Sequence, residues 1–246
     1  MTPRISIVVP TKDRPRLLVR ALRSALAQEG PPFEIVVVDD GDGEGLEAAR
    51  DIGDPRVVAL SSGKAGQVGA RNLGFAAARG ERLAFLDDDD WWAGPDHLAR
   101  LDAALDAPGL AFADGAIVRE DEEGRAVGSL PFEAAADPAT LARDNLLLVS
   151  GVLFDASWRK RLGPFDAGLP YYWDWDWYLR LAAAGAAFRH SGGDAVRISA
   201  RASSVSSATN AGVRARDLAR LCVKHGLTGI VLRNHESIAA DRAAGR

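Results

Sequence analysis

Four short apolar runs, separated by stretches of helical spacing, restrict this chain's fold more than any other feature: Ile5–Val9, Glu34–Val38, Arg56–Leu60 and Leu83–Leu86. Each is rich in strand-forming residues and too short for a helix, so each reads as a buried strand. Between the first two, Arg14–Gln28 sets Leu18, Leu22, Ala25 and Leu26 on one face and arginines elsewhere, as an amphipathic helix does. Gln67–Ala78 is alanine-rich and helical, with Gly80 as a stop, and Pro95–Leu105 places Leu98, Leu101 and Leu105 at helical spacing. Strands alternating with helices predict an α/β chain whose mostly parallel sheet is covered on both faces. Such sheets bind ligands at the carboxyl ends of their strands. Here those ends carry Thr11 and Asp13, then Asp39 and Asp40, then Asp87 to Asp90.

The rest of the chain is less regular. Leu110–Val118 and Ser150–Phe154 read as strands, Glu120–Arg125 as a charged turn and Ala134–Ala142 as a short helix. Trp175–Ala184 reads as a helix ended by Gly185, and Val213–His225 as another. Ala200–Asn210 is rich in Ser, Ala and Thr and reads as a mobile loop. Neither a repeat nor a linker divides the 246 residues, so a single domain is expected.

Several function classes recede on bulk properties. The net charge of −4 leaves no broad basic footprint, so no nucleic-acid partner is expected. One cysteine, Cys222, excludes an internal disulfide. No run approaches the roughly 20 apolar residues of a spanning helix, and Ile5–Pro10 is too short for a secretory signal. The expected location is the cytoplasm, with peripheral attachment at the membrane left open.

Asp87-Asp88-Asp89-Asp90 is the sharpest chemical signal. Adjacent carboxylates repel one another unless water or a cation neutralises them. At a strand end inside a cleft, a hard divalent ion, Mn²⁺ or Mg²⁺, would do so through one or two carboxylates, with diphosphate oxygens completing its shell; a solvated acidic loop is the plain alternative. Asp39-Asp40 closes another strand, where a carboxylate can meet a base or ribose, or simply cap a turn. Arg71 stands near a helix start among small residues, placed for a phosphate or a base carbonyl, or for an acidic neighbour. Aromatic residues crowd Tyr171–Tyr178. Within that stretch Asp176 can pair with Arg180 four residues on. Asp174, among rings at the helix entrance, is suited to a raised pKa and a general-base role, with a helix cap as its alternative.

With those residues in view, the chain resembles the family 2 glycosyltransferases. VVPTKDRPRLLVRALRSALAQ, VVVDDGDGEG, GARNLGFAAARGE, FLDDDDWW and GPFDAGLPYYWDWDWYLRLAAAG follow the family's order and approximate spacing over Ser6 to Gly185. The resemblance implies a GT-A fold, Rossmann-like and single-domain. It implies an inverting enzyme that moves a sugar from a nucleotide-diphosphate donor, with UDP favoured, to an acceptor hydroxyl. A non-catalytic nucleotide-sugar-binding protein is the alternative. By position, Pro10, Thr11, Asp13, Asp39, Arg71, Asp87 and Asp88 would line the nucleotide, Asp89 would hold Mn²⁺ or Mg²⁺, and Asp174 would be the catalytic base. Trp173 and Trp175 would face the acceptor, a glycan, lipid-linked or small molecule. Residues 1–118 would form the donor half, 119–210 the acceptor half and 211–246 a helical tail. Two departures stand out: the family's Glu-Asp pair is Trp173-Asp174 here, and Val196–Ala200 lacks the histidine often found near the family's end.

Overall fold

The computed structural model describes residues 2–201 and 210–244. The mobile loop expected at Ala200–Asn210 falls mainly on residues 202–209, which lie outside the described residues. At the centre is β1 (Ile5–Thr11), buried at every position and paired in parallel with β2 (Phe33–Asp39) and β4 (Arg82–Phe85). A strand covered on both faces needs apolar side chains in both directions, which is what its Ile and Val run supplies. The sequence places the end of this strand at Pro10; the strand continues to Thr11. Pairing with β4 stops at Val8, so the proline's missing N–H breaks no ladder on that edge.

Successive residues of β1 point to opposite layers. Ile5, Ile7 and Val9 join the core formed with α1 (Pro15–Leu26), α2 (Glu44–Asp51) and α4 (His97–Ala104). Val8 joins the other core, with α3 (Gly66–Ala77), α7 (Trp173–Ala183) and α8 (Ala211–His225). α3 lies so close to the sheet that a Cβ on Gly74 would stand 2.4 Å from Cγ1 of Val8, so glycine is needed there.

β3 (Val57–Ser61), β6 (Gly109–Phe112), β9 (Val152–Asp155) and β10 (Ala187–His190) complete a sheet of order β10-β6-β9-β4-β1-β2-β3. β9 runs antiparallel to both neighbours and the other pairings are parallel. A second sheet has the order β5-β11-β7-β8, from β5 (Trp91–Trp92), β11 (Val196–Ala200), β7 (Gly115–Glu120) and β8 (Ala126–Phe132). The single strand expected over Leu110–Val118 is therefore two strands in different sheets. Gly115 permits the crossing, because a Cβ there would meet the Val196 carbonyl at 2.4 Å. The expected helix at Ala134–Ala142 shrinks to α5 (Pro138–Leu141), capped by Asp137. α6 (Trp158–Leu162) and α9 (His235–Ala243) are the remaining helices among the described residues.

Two buried ionic groups tie these layers together. Glu34, 3% exposed, accepts from Ser6 Oγ at 2.6 Å, from the Arg79 N–H at 2.8 Å and from Arg79 Nε at 2.8 Å. Burial raises its pKa, but the hydrogen bonds from Arg79 and Ser6 outweigh it and leave the carboxyl below its ordinary value. A depressed carboxyl stabilises the fold above its unfolded pKa and loses that contribution as pH falls through the folded value. Stability to urea is thus expected to fall from about pH 5 to about pH 3. Glu34→Gln should flatten that acid limb and cost about 1 to 3 kcal/mol at neutral pH; an unchanged limb would show that Glu34 does not carry it.

The second group is Asp176, fully buried on α7. The expected pair with Arg180 forms, Nε to Oδ2 at 2.9 Å. It is not the simple surface pair that helical spacing suggests, because α8 brings Lys224 Nζ to 2.7 Å and His225 Nε2 to 2.8 Å of Oδ1.

Candidate active site

β4 ends at Phe85, and the acidic run that follows folds into a tight turn, with the Asp90 N–H bonded to the Asp87 carbonyl at 3.0 Å. The turn splays the four carboxylates. Asp87 meets Arg71 Nη2 at 2.5 Å. Asp88, 1% exposed, accepts from Thr11 Oγ1 at 2.7 Å and meets Arg14 Nη2 at 3.0 Å. Asp89 meets Arg14 Nη1 at 2.8 Å. Asp90 turns inward to accept from Ser150 Oγ at 2.5 Å and from the Ser199 N–H of β11 at 3.0 Å. Burial lifts Asp88 to about 7 against the pull of Arg14, and Asp89 adds to the rise. Burial and then Asp89 and Asp87 hold Asp90 well above the usual carboxylate range. The four residues are therefore not equivalent: Asp87, Asp88 and Asp89 are held by cationic side chains, while Asp90 fastens the turn to the second sheet.

The ends of β1 and β2 form the neighbouring wall. Pro10, Thr11 and Lys12 line a cavity of about 460 Å³ together with Arg14 and the aspartate turn. Asp13 has a left-handed backbone, φ 52°, and its carboxylate accepts from the Asp42 N–H at 3.2 Å. Asp39 accepts from the Gly41 N–H at 2.7 Å and from the Leu46 N–H at 3.2 Å, a free donor of the first turn of α2. Asp13 and Asp39 stand outside the cavity lining, and Asp40 is within it. Asp40 accepts from Ser62 Oγ and from the Gly66 N–H that opens α3.

Arg71 joins the two ends of the cavity. Its side chain is 8% exposed, salt-bridged to Asp87, and its guanidinium lies 4.8 Å from the centre of the Trp173 ring. Asp174 follows on α7. The helix starts at Trp173, two residues earlier than its sequence spacing suggests, so Asp174 lies inside the first turn. Its Oδ2 accepts from Asn145 Nδ2 at 2.9 Å. Burial raises this carboxyl to about 6, against hydrogen bonds from Trp175 and Asn145 and the charge of Arg71. Trp173 and Trp175 line the cavity but are 6% and 3% exposed. Trp173 packs edge-on against Phe85 and Phe165, and Trp175 Nε1 donates to the Leu141 carbonyl at 2.8 Å. These rings act first as walls and offer little open face.

One cavity thus gathers Pro10, Thr11, Arg71, Asp87, Asp88, Asp89, Trp173, Asp174 and Trp175. Asp40, which the sequence offers beside Asp39 as a base or ribose contact, lines it too, as do Arg14, Asn145, Arg214, Arg233 and His235, which sequence reasoning passed over. The residues passed over come from a helix start, a loop and the C-terminal segment, where no local pattern marks them. Among the described residues no group of three or more His, Cys, Asp or Glu side chains is arranged to hold a metal by itself. Asp87 and Asp89 offer the hard carboxylate oxygens that a divalent ion takes. In this structure Arg14 bridges Asp88 and Asp89, and Arg71 pairs with Asp87, so each of the three has a cationic partner.

Sheet order, the reversed β9 and a cleft at the carboxyl ends of β1, β2 and β4 together define the GT-A class of sugar transferases. Solved structures agree on the fold: Staphylococcus aureus TarS 1–349 in complex with UDP-GlcNAc aligns at TM-score 0.71 and 18% identity, over 94% of this chain and 68% of that one. The mannosyltransferase PcManGT from Pyrobaculum calidifontis, in complex with GDP-Man and Mn²⁺, aligns at 0.64 and 20%, over 94% and 66%. The chain belongs to glycosyl transferase family 2, whose profile matches residues 6–150, and is a glycosyltransferase domain. It is 29% identical over 236 residues to the uncharacterized glycosyltransferase YwdF of Bacillus subtilis, over 94% of this chain and 87% of that protein. It is 40% identical over 157 residues to the succinoglycan biosynthesis protein ExoO of Rhizobium meliloti, of which it spans 44%. It spans 60% of the chain in another crystal structure of TarS 1–349. No helix among the described residues is long and apolar enough to cross a membrane.

Proposed function

We propose that this protein transfers a sugar from a nucleotide-diphosphate donor, with UDP favoured, to an acceptor hydroxyl, with inversion at the anomeric carbon and Asp174 as general base. The observation that carries the reading is one cavity holding an acidic turn at the strand ends and, across Arg71, a carboxyl raised to about 6. Bound donors in the two neighbours, UDP-GlcNAc in one and GDP-Man with Mn²⁺ in the other, support a nucleotide sugar here.

Residues 1–118 would supply the donor side. Pro10, Thr11 and Asp40 lie at strand ends next to the aspartate turn, where a nucleoside fits, with Asp13 and Asp39 shaping the loops behind them. Asp87 and Asp89 would hold Mn²⁺ or Mg²⁺, with Asp88 beside the ribose. Bound there, the ion would supply positive charge to the departing diphosphate. Arg71 and Lys12 add fixed positive charge on the same side. Asp174 takes the proton of the acceptor hydroxyl as its oxygen attacks the anomeric carbon opposite the leaving group. The raised pKa brings this carboxylate closer to the basicity that late proton removal requires. Residues 119–210, with Trp173 and Trp175, and the tail 211–246 would enclose the acceptor, a glycan, lipid-linked or small molecule. A cytoplasmic enzyme, or one peripheral at the membrane, fits this chemistry.

Binding tests the donor side. UDP affinity is expected to strengthen about tenfold or more with Mn²⁺ or Mg²⁺ relative to chelator, and Asp89→Ala should remove most of the gain. Calorimetry across these four conditions is sufficient. Equal affinity in all of them would remove the metal from the proposal.

A further inference from the structure

The loop between α5 and the short helix at Val149–Gly151 carries one residue whose polar groups are all engaged. The Asn145 N–H bonds to Asp144 Oδ1 at 3.0 Å. Its carbonyl accepts from His235 Nε2 at 3.2 Å. Its Oδ1 accepts from the Leu147 N–H at 3.3 Å, which fixes the amide orientation and turns Nδ2 toward Asp174, 2.9 Å away. Asp144 is itself gripped by Arg233, and Arg214 donates to the Arg233 carbonyl at 2.6 Å. His235 opens α9, anchored by the Asn234–Ser237 capping box and by buried Ile238 and Ala239. Burial lowers His235 to about 4, so at neutral pH it is an uncharged hydrogen-bond partner.

We propose that Asn145 is a positioning residue for Asp174, and that the C-terminal segment Arg233–Ala243 holds Asn145 in place. The proposal rests on the reading of Asp174 as the general base. An amide donor on Oδ2 stops the carboxylate from rotating and favours its ionised form, so that proton transfer finds one defined geometry. The first acid of the family's Glu-Asp pair would have stood at 173, where this chain has a buried tryptophan. The other groups around Asp174 differ in kind. Arg71 on α3 acts through its charge, and Tyr172 at the N-cap of α7 and Tyr178 within it are kept protonated by burial, with Asp174 adding to the rise. Arg214 and Arg233 line the same cavity.

The test is a ¹³C titration of aspartate-labelled protein by NMR, with the Asp174 carboxyl identified by its disappearance in Asp174→Asn. Asn145→Ala is expected to raise the Asp174 pKa by about half a unit to one unit, since it removes a donor to the charged form. The nearly isosteric Asn145→Asp should raise it further by placing a like charge beside it, and His235→Ala should raise it less than either. Far-UV circular dichroism and urea unfolding serve as the folding control. An Asp174 titration that does not move in folded Asn145→Asp would overturn the positioning role; one that moves there but not in His235→Ala would overturn the part played by the C-terminal segment. Release of UDP from UDP-GlcNAc and UDP-glucose separates this failure from that of the base: Asp174→Asn with undiminished release would sink the base reading and leave the titration result standing.

Discussion

Asp174→Asn is expected to lower turnover roughly 100-fold or more while donor affinity stays near that of the parent protein, because general-base catalysis is typically worth that much. The substitution keeps the shape of the side chain in a confined place. Asp174 lies in the first turn of α7 beside Trp173 and Trp175, which are nearly inaccessible, so a larger change would disturb packing as well as chemistry. Asn145 Nδ2 can still donate to the amide oxygen of the new side chain, so the loop at Asn145 should hold. The acid limb of the pH–rate profile should be set by a group titrating near 6 in the parent protein and should vanish in the variant. Undiminished turnover would reject the base assignment. Absence of any turnover in the parent, with nucleotide-sugar binding retained, would favour a binding protein.

Asp176→Asn should have the opposite signature, a large loss of stability with UDP affinity preserved. Were Asp176 only a surface partner of Arg180, the loss would be under about 1 kcal/mol. Its carboxylate is instead fully buried and shared among Arg180, Lys224 and His225. Removing one member of a buried ionic group typically costs about 3 to 5 kcal/mol where the others are left without a partner; here Lys224 keeps Asp166 at 2.6 Å. Lys224 and Arg180 are 36% and 19% exposed, and water can relieve part of that strain, so a loss of about 3 kcal/mol is expected in urea unfolding. A loss below about 1 kcal/mol would show that solvent screens the group despite its burial.

What the sequence revealed follows the range over which each element is determined. β1, β2 and β4 are legible because strands buried on both faces must be apolar throughout, and α1 because its apolar stripe repeats. The second sheet is not. β5 has two residues, and β8 carries Gly128 and Pro131 with most of its residues exposed, so no run of buried positions marks it. The acidic run is conspicuous, but the direction of each carboxylate is set by partners far along the chain. Asp90 is turned inward by Ser150 and Ser199, 60 and 109 residues away. The same limit applies to Asn145 and His235, which meet across 90 residues and lie in stretches without periodicity. Asp176 shows the limit in energetic form: spacing finds Arg180 four residues on, whereas burial comes from α8, 48 and 49 residues on.

The inward turn of Asp90 also bears on how such a domain can be recombined. Its carboxylate is a rivet: one oxygen takes Ser150 beside β9 of the large sheet, and the other takes the Ser199 amide of β11 in the small sheet. A chimaera that joined residues 1–118 of this chain to the second half of another family member would inherit the rivet without its holes unless hydroxyl and amide partners were carried over at both places. Swaps that keep residues 1–118 are therefore expected to hold the aspartate turn in place when Ser150 and the backbone path of β11 travel with the first half, and to displace it when they do not.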